Sequence, residues 1–263
     1  MSQPYKLAVL VSHPIQYLAP VFRRLAAHPA IDLSVLYLSD FSLREFHDDG
    51  FGTSFKWDIP LLGGYRYVFL PHFGDGTTLS FFKPLTRSLY RHLKHGGYDA
   101  LWLMGWGHQT YLRALALAKL IGVKVFIYGD SHAGGPGPYS RSNALLKRFV
   151  FPLLFRCFDG FLATASANRD FYLAYGVPRQ RIFLTPWVVD NDFFRSAAER
   201  ARPMREELRA QLRLTRGRPV ILYASKFMTR KRAIDLLEAY ILHTALARRA
   251  RRTGALPAVR RRR

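Results

Sequence analysis

An open parallel α/β sheet with crossover helices is the fold class predicted for this chain of 263 residues, and three observations predict it. Short, wholly apolar runs alternate with longer stretches of helical period, the pattern of successive βα units. The runs lack the apolar–polar alternation of a half-exposed strand, so the strands are expected to be buried on both faces. With 49% hydrophobic and 14% aromatic residues, the chain can bury a core of that kind, which excludes global disorder.

Taken in order, the apolar runs predict strands at Lys6–Ser12, Ile31–Leu38, Arg66–Leu70, Asp99–Met104, Val123–Tyr128, Gly160–Thr164, Arg181–Thr185 and Val220–Ala224. Helical spacing between them predicts helices at Ala19–Ala27, Leu85–Lys94, Thr110–Ile121, Ser142–Phe158, Ala167–Tyr175, Pro203–Leu214 and Ala233–Leu246, with Pro203 suited to a first helical turn. Two stretches break the alternation. Asp40–Gly64 carries four glycines and four phenylalanines and is expected to be an ordered insertion. Gly129–Tyr139 directly follows a strand, where ligands of open parallel sheets gather.

Composition removes several function classes. The single thiol, Cys157, can neither close an intrachain disulfide nor supply a thiolate cluster, which points to a reducing cytoplasm. The opening apolar run, Leu7–Val11, is shorter than a signal-peptide core, and the richest one, Phe149–Phe155, is far short of the roughly 20 residues of a membrane span. The formal charge is +22, and residues 241–263 hold eight arginines and no acid, leaving +14 on the first 240. Such a chain favours anionic partners: nucleic acid, acidic lipid headgroups or phosphorylated small molecules. No nucleic-acid recognition motif is present and the aromatics sit within strand and helix patterns, so no specific nucleic acid is expected.

Several residues could carry chemistry. Ser12-His13-Pro14-Ile15-Gln16 places an imidazole and an amide after the first strand. Both can hydrogen-bond hydroxyls, and a turn fixed by Pro14 with His13 capping a helix explains them equally well. No glycine-rich dinucleotide fingerprint accompanies them. Gly129-Asp130-Ser131-His132-Ala133 approaches a nucleophile elbow, but Gly134-Gly135-Pro136-Gly137-Pro138 intervenes where a helix must start, which argues against a hydrolase. His132 fits better as a hydrogen-bonding or charge-stabilising group for a ligand, with a solvated loop residue as the alternative. His47-Asp48-Asp49 reads as a solvated turn before Gly50, since adjacent side chains rarely converge on one ion, and no metal is expected. Lys226, Arg230 and Lys231 lie between a strand's end and a helix's start, an arrangement that suits a diphosphate or a merely basic exposed loop.

Taken together, SHPIQYLAPVFRRLA, FGTSFKWDIPLLGGYRYVFLP, VFIYGDSH, ANRDFYLAYGVPRQRIFLTPWVVDNDFF and YASKFMTRKRAIDLLEAY, in this order between about residues 6 and 240, resemble glycosyltransferase family 4. The resemblance implies a GT-B fold of two Rossmann-like domains and retaining, nucleotide-sugar-dependent transfer. On this pattern residues 1–185 would form the N-terminal acceptor-side domain, 186–218 the connection, 219–240 the first βα unit of the donor-binding domain, and 241–263 an Arg/Ala-rich tail, either disordered or a helix extension that then becomes disordered. His132 would be the catalytic cleft histidine. Lys226 and Lys231, with Arg230, would hold the donor diphosphate, stabilising charge on the departing phosphate. His13, Gln16, Trp106, Gly107, Ser131 and Asn191 would line the acceptor and sugar cleft.

The resemblance implies no cofactor beyond the nucleotide-diphosphate sugar itself. It further implies a glycan or lipid-linked acceptor from the cell envelope, while the single thiol points to the cytoplasm and the positive charge to peripheral contact with the anionic inner face of the membrane. The family's acidic E-x7-E motif should follow Lys226, whereas Glu199 and Glu207, which have its spacing, precede it. The switch to Ala and Arg after Tyr240 leads to the expectation of a frameshift or truncation there, and so of a weakly active or inactive enzyme. The alternative is a non-catalytic half-enzyme that binds an acceptor or an anionic surface.

Overall fold

A computed structural model of the chain describes residues 3–48, 50–74, 76–77, 79–132 and 141–252, without the side chains of 141–146, 230 and 248–252. The elements run β1 (Tyr5–Val11), α1 (Ala19–Ala26), β2 (Ile31–Tyr37), β3 (Phe46–Asp48), β4 (Thr53–Phe55), β5 (Arg66–Phe69), β6 (His72–Phe73), β7 (Leu85–Thr86), α2 (Leu89–Gly96), β8 (Ala100–Leu103), α3 (Gln109–Leu120), β9 (Lys124–Gly129), α4 (Arg141–Arg156), β10 (Gly160–Ala163), α5 (Ser166–Ala174), β11 (Ile182–Leu184), α6 (Asn191–Ala201), α7 (Arg205–Gln211) and α8 (Ala233–Arg252). They divide into two compact units. The first comprises Met1–Phe46 and Ser54–Arg202, the second His47–Thr53 and Pro203–Arg263.

The first unit is an α/β layer structure built on a seven-stranded sheet of order β11-β10-β9-β8-β1-β2-β5, in which every pairing is parallel. Seven of the eight apolar runs form it, because a strand with helices on both sides must be apolar on both faces. One face carries Ala8, Leu10, Leu101, Leu103, Val125, Ile127 and Phe161 beneath side chains of α2 (Leu89, Leu93), α3 (Tyr111, Ala114, Leu115) and α5 (Phe171, Tyr172). The other carries Val9, Val11, Leu33, Val35 and Tyr37 beneath Leu18 and, from α1, Ala19 and Phe22. Gly160 permits the close approach of β10 to β9, since a Cβ there would fall 2.6 Å from the Phe126 ring.

Strand order creates the functional geography. From β1 the chain reaches α1 on one face, whereas from β8, its neighbour, it reaches α3 on the opposite face. The carboxyl ends of β1 and β8 are therefore the topological switch point, the place where ligands of open parallel sheets bind.

Local departures from the expected elements have physical causes. Leu85 and Thr86 do not begin a helix: they pair with His72 and Phe73 as β7 on β6, and α2 starts only at Leu89. The insertion at 40–64 contains the short pair β3–β4. Helix α6 was not expected. It buries no residue, although Phe193, Phe194, Ala197 and Ala198 share one face, and Asp190 caps it by accepting the Phe193 N–H at 3.0 Å. In the second unit the run Val220–Ala224 forms no strand among the described residues, and Leu222 is 81% exposed. The Ala/Arg tail continues α8 as far as Arg252, and residues 253–263 lie outside the described residues. No helix among the described residues is long and apolar enough to cross a membrane.

Candidate functional site

At the switch point the end of β1 delivers Ser12 and His13. The ladder continues past the strand, with the Ser39 N–H donating to the Ser12 carbonyl at 2.9 Å, and the Ser42 hydroxyl fastens the next turn by donating to the Pro14 carbonyl at 2.7 Å. His13 is half-buried, its ring centroid 4.6 Å from that of Phe41, and burial pulls its pKa down to about 4. The ring is therefore neutral at pH 7. Its Nδ1 lies 2.9 Å from the Ser12 hydroxyl, which also hydrogen-bonds the buried Tyr111 of α3. Assigning Ser12 as donor to Nδ1 puts the imidazole proton on Nε2, leaving an N–H for a ligand oxygen. His13 thus does not cap α1, whose N-terminus has no side-chain cap.

The histidine that does cap a helix is His108. Its Nδ1 accepts the Thr110 N–H at 3.0 Å and its Nε2 donates to the Lys83 carbonyl at 2.8 Å.

The neighbouring loops supply the other residues. After β8, Gly105 takes φ +98°, a left-handed turn that a side chain would strain, and Trp106 follows. Trp106 is half-buried and packs on Phe151, Phe155, Phe171 and Tyr172, so most of its ring serves the core. Gly107 is exposed, with nothing within 4 Å of where a Cβ would sit.

After β9, His132 is exposed, with Nδ1 3.3 Å from the Asp130 carbonyl oxygen. The residues that follow, 133–140, lie outside the described set. Ser131 is anchored through its carbonyl, which accepts from Asn168 Nδ2 at 2.6 Å, while Asn168 Oδ1 accepts the Thr164 N–H at 3.1 Å. Asn168 was not anticipated. Replacing it with alanine should loosen the 130–132 loop and cost about 1–3 kcal/mol, as two buried partners lose their bonds. Faster hydrogen exchange confined to that loop would register the change.

Gln16 is half-buried in the turn before α1. Asn191, the first residue of α6, is exposed and lines a cavity of about 760 Å³ with Tyr17, Arg23, Arg24 and Arg195.

The remaining predicted residues belong to the second unit. Lys226 Nζ donates to both carboxylate oxygens of Asp48, at 2.7 and 2.6 Å, and lies 4.9 Å from the Phe51 ring centroid. Asp48 also accepts the Gly50 N–H at 2.9 Å, and the Lys226 hydrogen bond, reinforced by those of its own turn, holds its carboxyl below the usual range. The expected solvated turn is thus the counter-ion of the expected diphosphate ligand. No sequence signal could have joined positions so far apart. Lys231 is exposed in a single 3-10 turn, and the Arg230 side chain lies outside the described residues. In the first turn of α8, Asp235 is held by Arg232 Nε at 2.7 Å, placing a carboxylate where an anion would otherwise sit. The described residues contain no group of three His, Cys, Asp or Glu able to hold a metal ion.

Solved structures similar to this chain include UDP-N-acetylglucosamine 2-epimerase from Rickettsia bellii, with 14% identity and TM-score 0.45 over 81% of this chain and 52% of that one. Anabaena HepE in complex with UDP and glucose has 14% identity and TM-score 0.48 over 79% and 50%. The UDP-GlcNAc 2-epimerase from Neisseria meningitidis bound to UDP-GlcNAc has 13% identity and TM-score 0.43 over 78% and 53%. The chain spans about half the length of these proteins. No family model and no curated protein matches it.

Proposed function

We propose that the chain is the acceptor-side part of a family 4 type glycosyltransferase, moving a sugar with retention from a nucleotide-diphosphate donor to a cell-envelope glycan or lipid-linked acceptor. The observation that carries the reading is His13: an imidazole that burial keeps neutral at the switch point, its Nδ1 2.9 Å from the Ser12 hydroxyl. In this reading its Nε2 meets a sugar or acceptor hydroxyl. The five ordered sequence segments support it independently. In this reading His132 stabilises charge on the transferred sugar, and Lys226 and Lys231 neutralise the departing diphosphate. A diphosphate takes Lys226 from Asp48, exchanging one anion for another.

Sugar transfer from radiolabelled donors tests the reading, comparing this chain with one extended by a complete donor domain. Transfer by the extended chain that falls at least tenfold in His13→Ala is expected; extended chains that neither transfer sugar nor bind nucleotide would refute it. Calorimetry with nucleoside diphosphates adds a second check, as Lys226→Ala with Lys231→Ala should weaken binding by about tenfold or more.

A second reading, an acceptor-binding half without turnover, is favoured by the unpaired run at 220–224 and by the Asp48–Lys226 pair. It predicts acceptor binding without nucleotide binding.

A further inference from the structure

We propose that the cavity beside α1 binds a single fatty carboxylate, with its hydrocarbon chain between α1 and the segment after β11 and its head among the arginines at the mouth. This goes beyond the glycosyl-transfer reading and does not depend on it.

A parallel sheet is ordinarily covered on both faces. The crossovers that link β8 to β11 lay α3, α4 and α5 on one side, over Leu101, Val125 and Phe161. Trp102, Tyr128 and Leu162 share the other side through the strand register. There α1 packs over β1 and β2, and the chain after β11 returns over β9, where the Trp187 ring meets Tyr128 at 5.0 Å and Tyr17 at 5.1 Å. The two covers do not meet. Between them lies a cavity of about 450 Å³, floored by Leu7, Trp102, Tyr128 and Leu162 and walled by Val21 and Leu25 of α1. Among the described residues no charged side chain lines it. Its volume is that of a ligand pocket, and such walls favour a hydrocarbon chain over water.

Charge identifies the head. Tyr17, Val21, Leu25 and Val188 line both this cavity and the one of about 760 Å³ that Asn191 lines, so the first opens into the second. That mouth holds Arg23, Arg24 and Arg195 against Asp190 and Asp192, which leaves one positive charge with His28 counted as neutral. A single positive charge matches a carboxylate rather than a doubly charged phosphate monoester. Asp192 lies 4.0 Å from Arg24 and 2.9 Å from Arg195, whereas Arg23 Nη1 donates to the Pro60 carbonyl at 3.2 Å. Arg24 and Arg195, both exposed, are therefore the cations that can turn to an incoming head. Of the residues assigned to the acceptor or the donor, only Asn191 lines either cavity. The chain of the ligand thus occupies a place that the sugar-transfer site does not use.

Calorimetry of the full chain with octanoate, decanoate and laurate, each kept below its micellar concentration, tests the proposal. One molecule per chain is expected, with affinity rising about fourfold for each added methylene. The double variant Arg24→Gln, Arg195→Gln changes only exposed side chains. It should bind decanoate about tenfold more weakly and decanol as the parent does, while Asp192→Asn should bind decanoate more tightly. Quenching locates the chain. A bromine-tipped undecanoate should dim the parent's fluorescence through Trp102 and Trp187, which line the cavity, and dim Trp187→Phe less. Decanoate bound in many copies per chain and indifferent to the two arginines would overturn the proposal and assign adsorption to the net charge. Decanol bound by the parent as tightly as decanoate would overturn it in favour of a neutral ligand. Binding of neither would also overturn it, and a dimer seen by light scattering in that case would name a second copy of the chain as the cover.

Discussion

Phe161→Ala is expected to lower the stability of the first unit by about 4 kcal/mol. Phe161 is 0% exposed on β10, with ring centroids 4.8 Å from Tyr172, 5.4 Å from Phe155 and 5.7 Å from Phe158. Truncation removes the transfer energy of the ring and leaves a cavity whose walls come from three elements and cannot all collapse inward. The loss is a large share of the roughly 5–15 kcal/mol that holds a domain together. The four tryptophans, Trp57, Trp102, Trp106 and Trp187, all lie in the first unit, so denaturant unfolding followed by their fluorescence reads that unit alone. A change below about 1 kcal/mol would mean that the aromatic cluster does not pack as described.

The second large effect is a pH dependence centred on His13. Its folded pKa of about 4 lies below the ordinary imidazole value of 6.5, so the folded state favours the neutral ring and the unfolded state takes up the proton first. Stability from this group is therefore complete above pH 6.5, falls as pH drops from 6.5 towards 4, and levels off below. The span corresponds to about 3 kcal/mol. His13→Gln, which keeps an amide beside Ser12 but cannot titrate, should remove that part of the slope. Because burial also lowers the His108 pKa, the difference between parent and variant at pH 7.5, 5.5 and 4 is the quantity to measure. Parallel curves for the two proteins would show that His13 is not shielded from protonation.

The sheet was readable because two-sided burial leaves an unbroken apolar run, and each of the seven paired strands lies within two residues of such a run. Val220–Ala224 has the same composition but no neighbour to pair with among the described residues, which shows that an apolar run is not sufficient for a strand. Helix α6 was legible in principle: Phe193, Phe194, Ala197, Ala198 and Ala201 recur at helical spacing behind the Asp190 cap, although the face they form buries no residue. The β6–β7 hairpin is two residues a side, too short for alternation to register. At the site, the loops bearing His13 and His132 were legible because they follow confident strands. The long-range partners of Ser12, Ser131 and Lys226 were not, since Tyr111, Asn168 and Asp48 reach them through the fold rather than along the chain.

The Asp48–Lys226 pair closes a separation of 178 positions. During synthesis, the seven residues His47–Thr53 leave the ribosome long before the rest of their own unit exists, and every strand from β5 to β11 is made in between. The seven-stranded sheet can assemble while that short segment waits, and the segment gains its counter-ion only once Lys226 has emerged. Contacts of such range form late and cost the most loop closure. The second unit is thus completed last, by a piece of chain among the first to be translated.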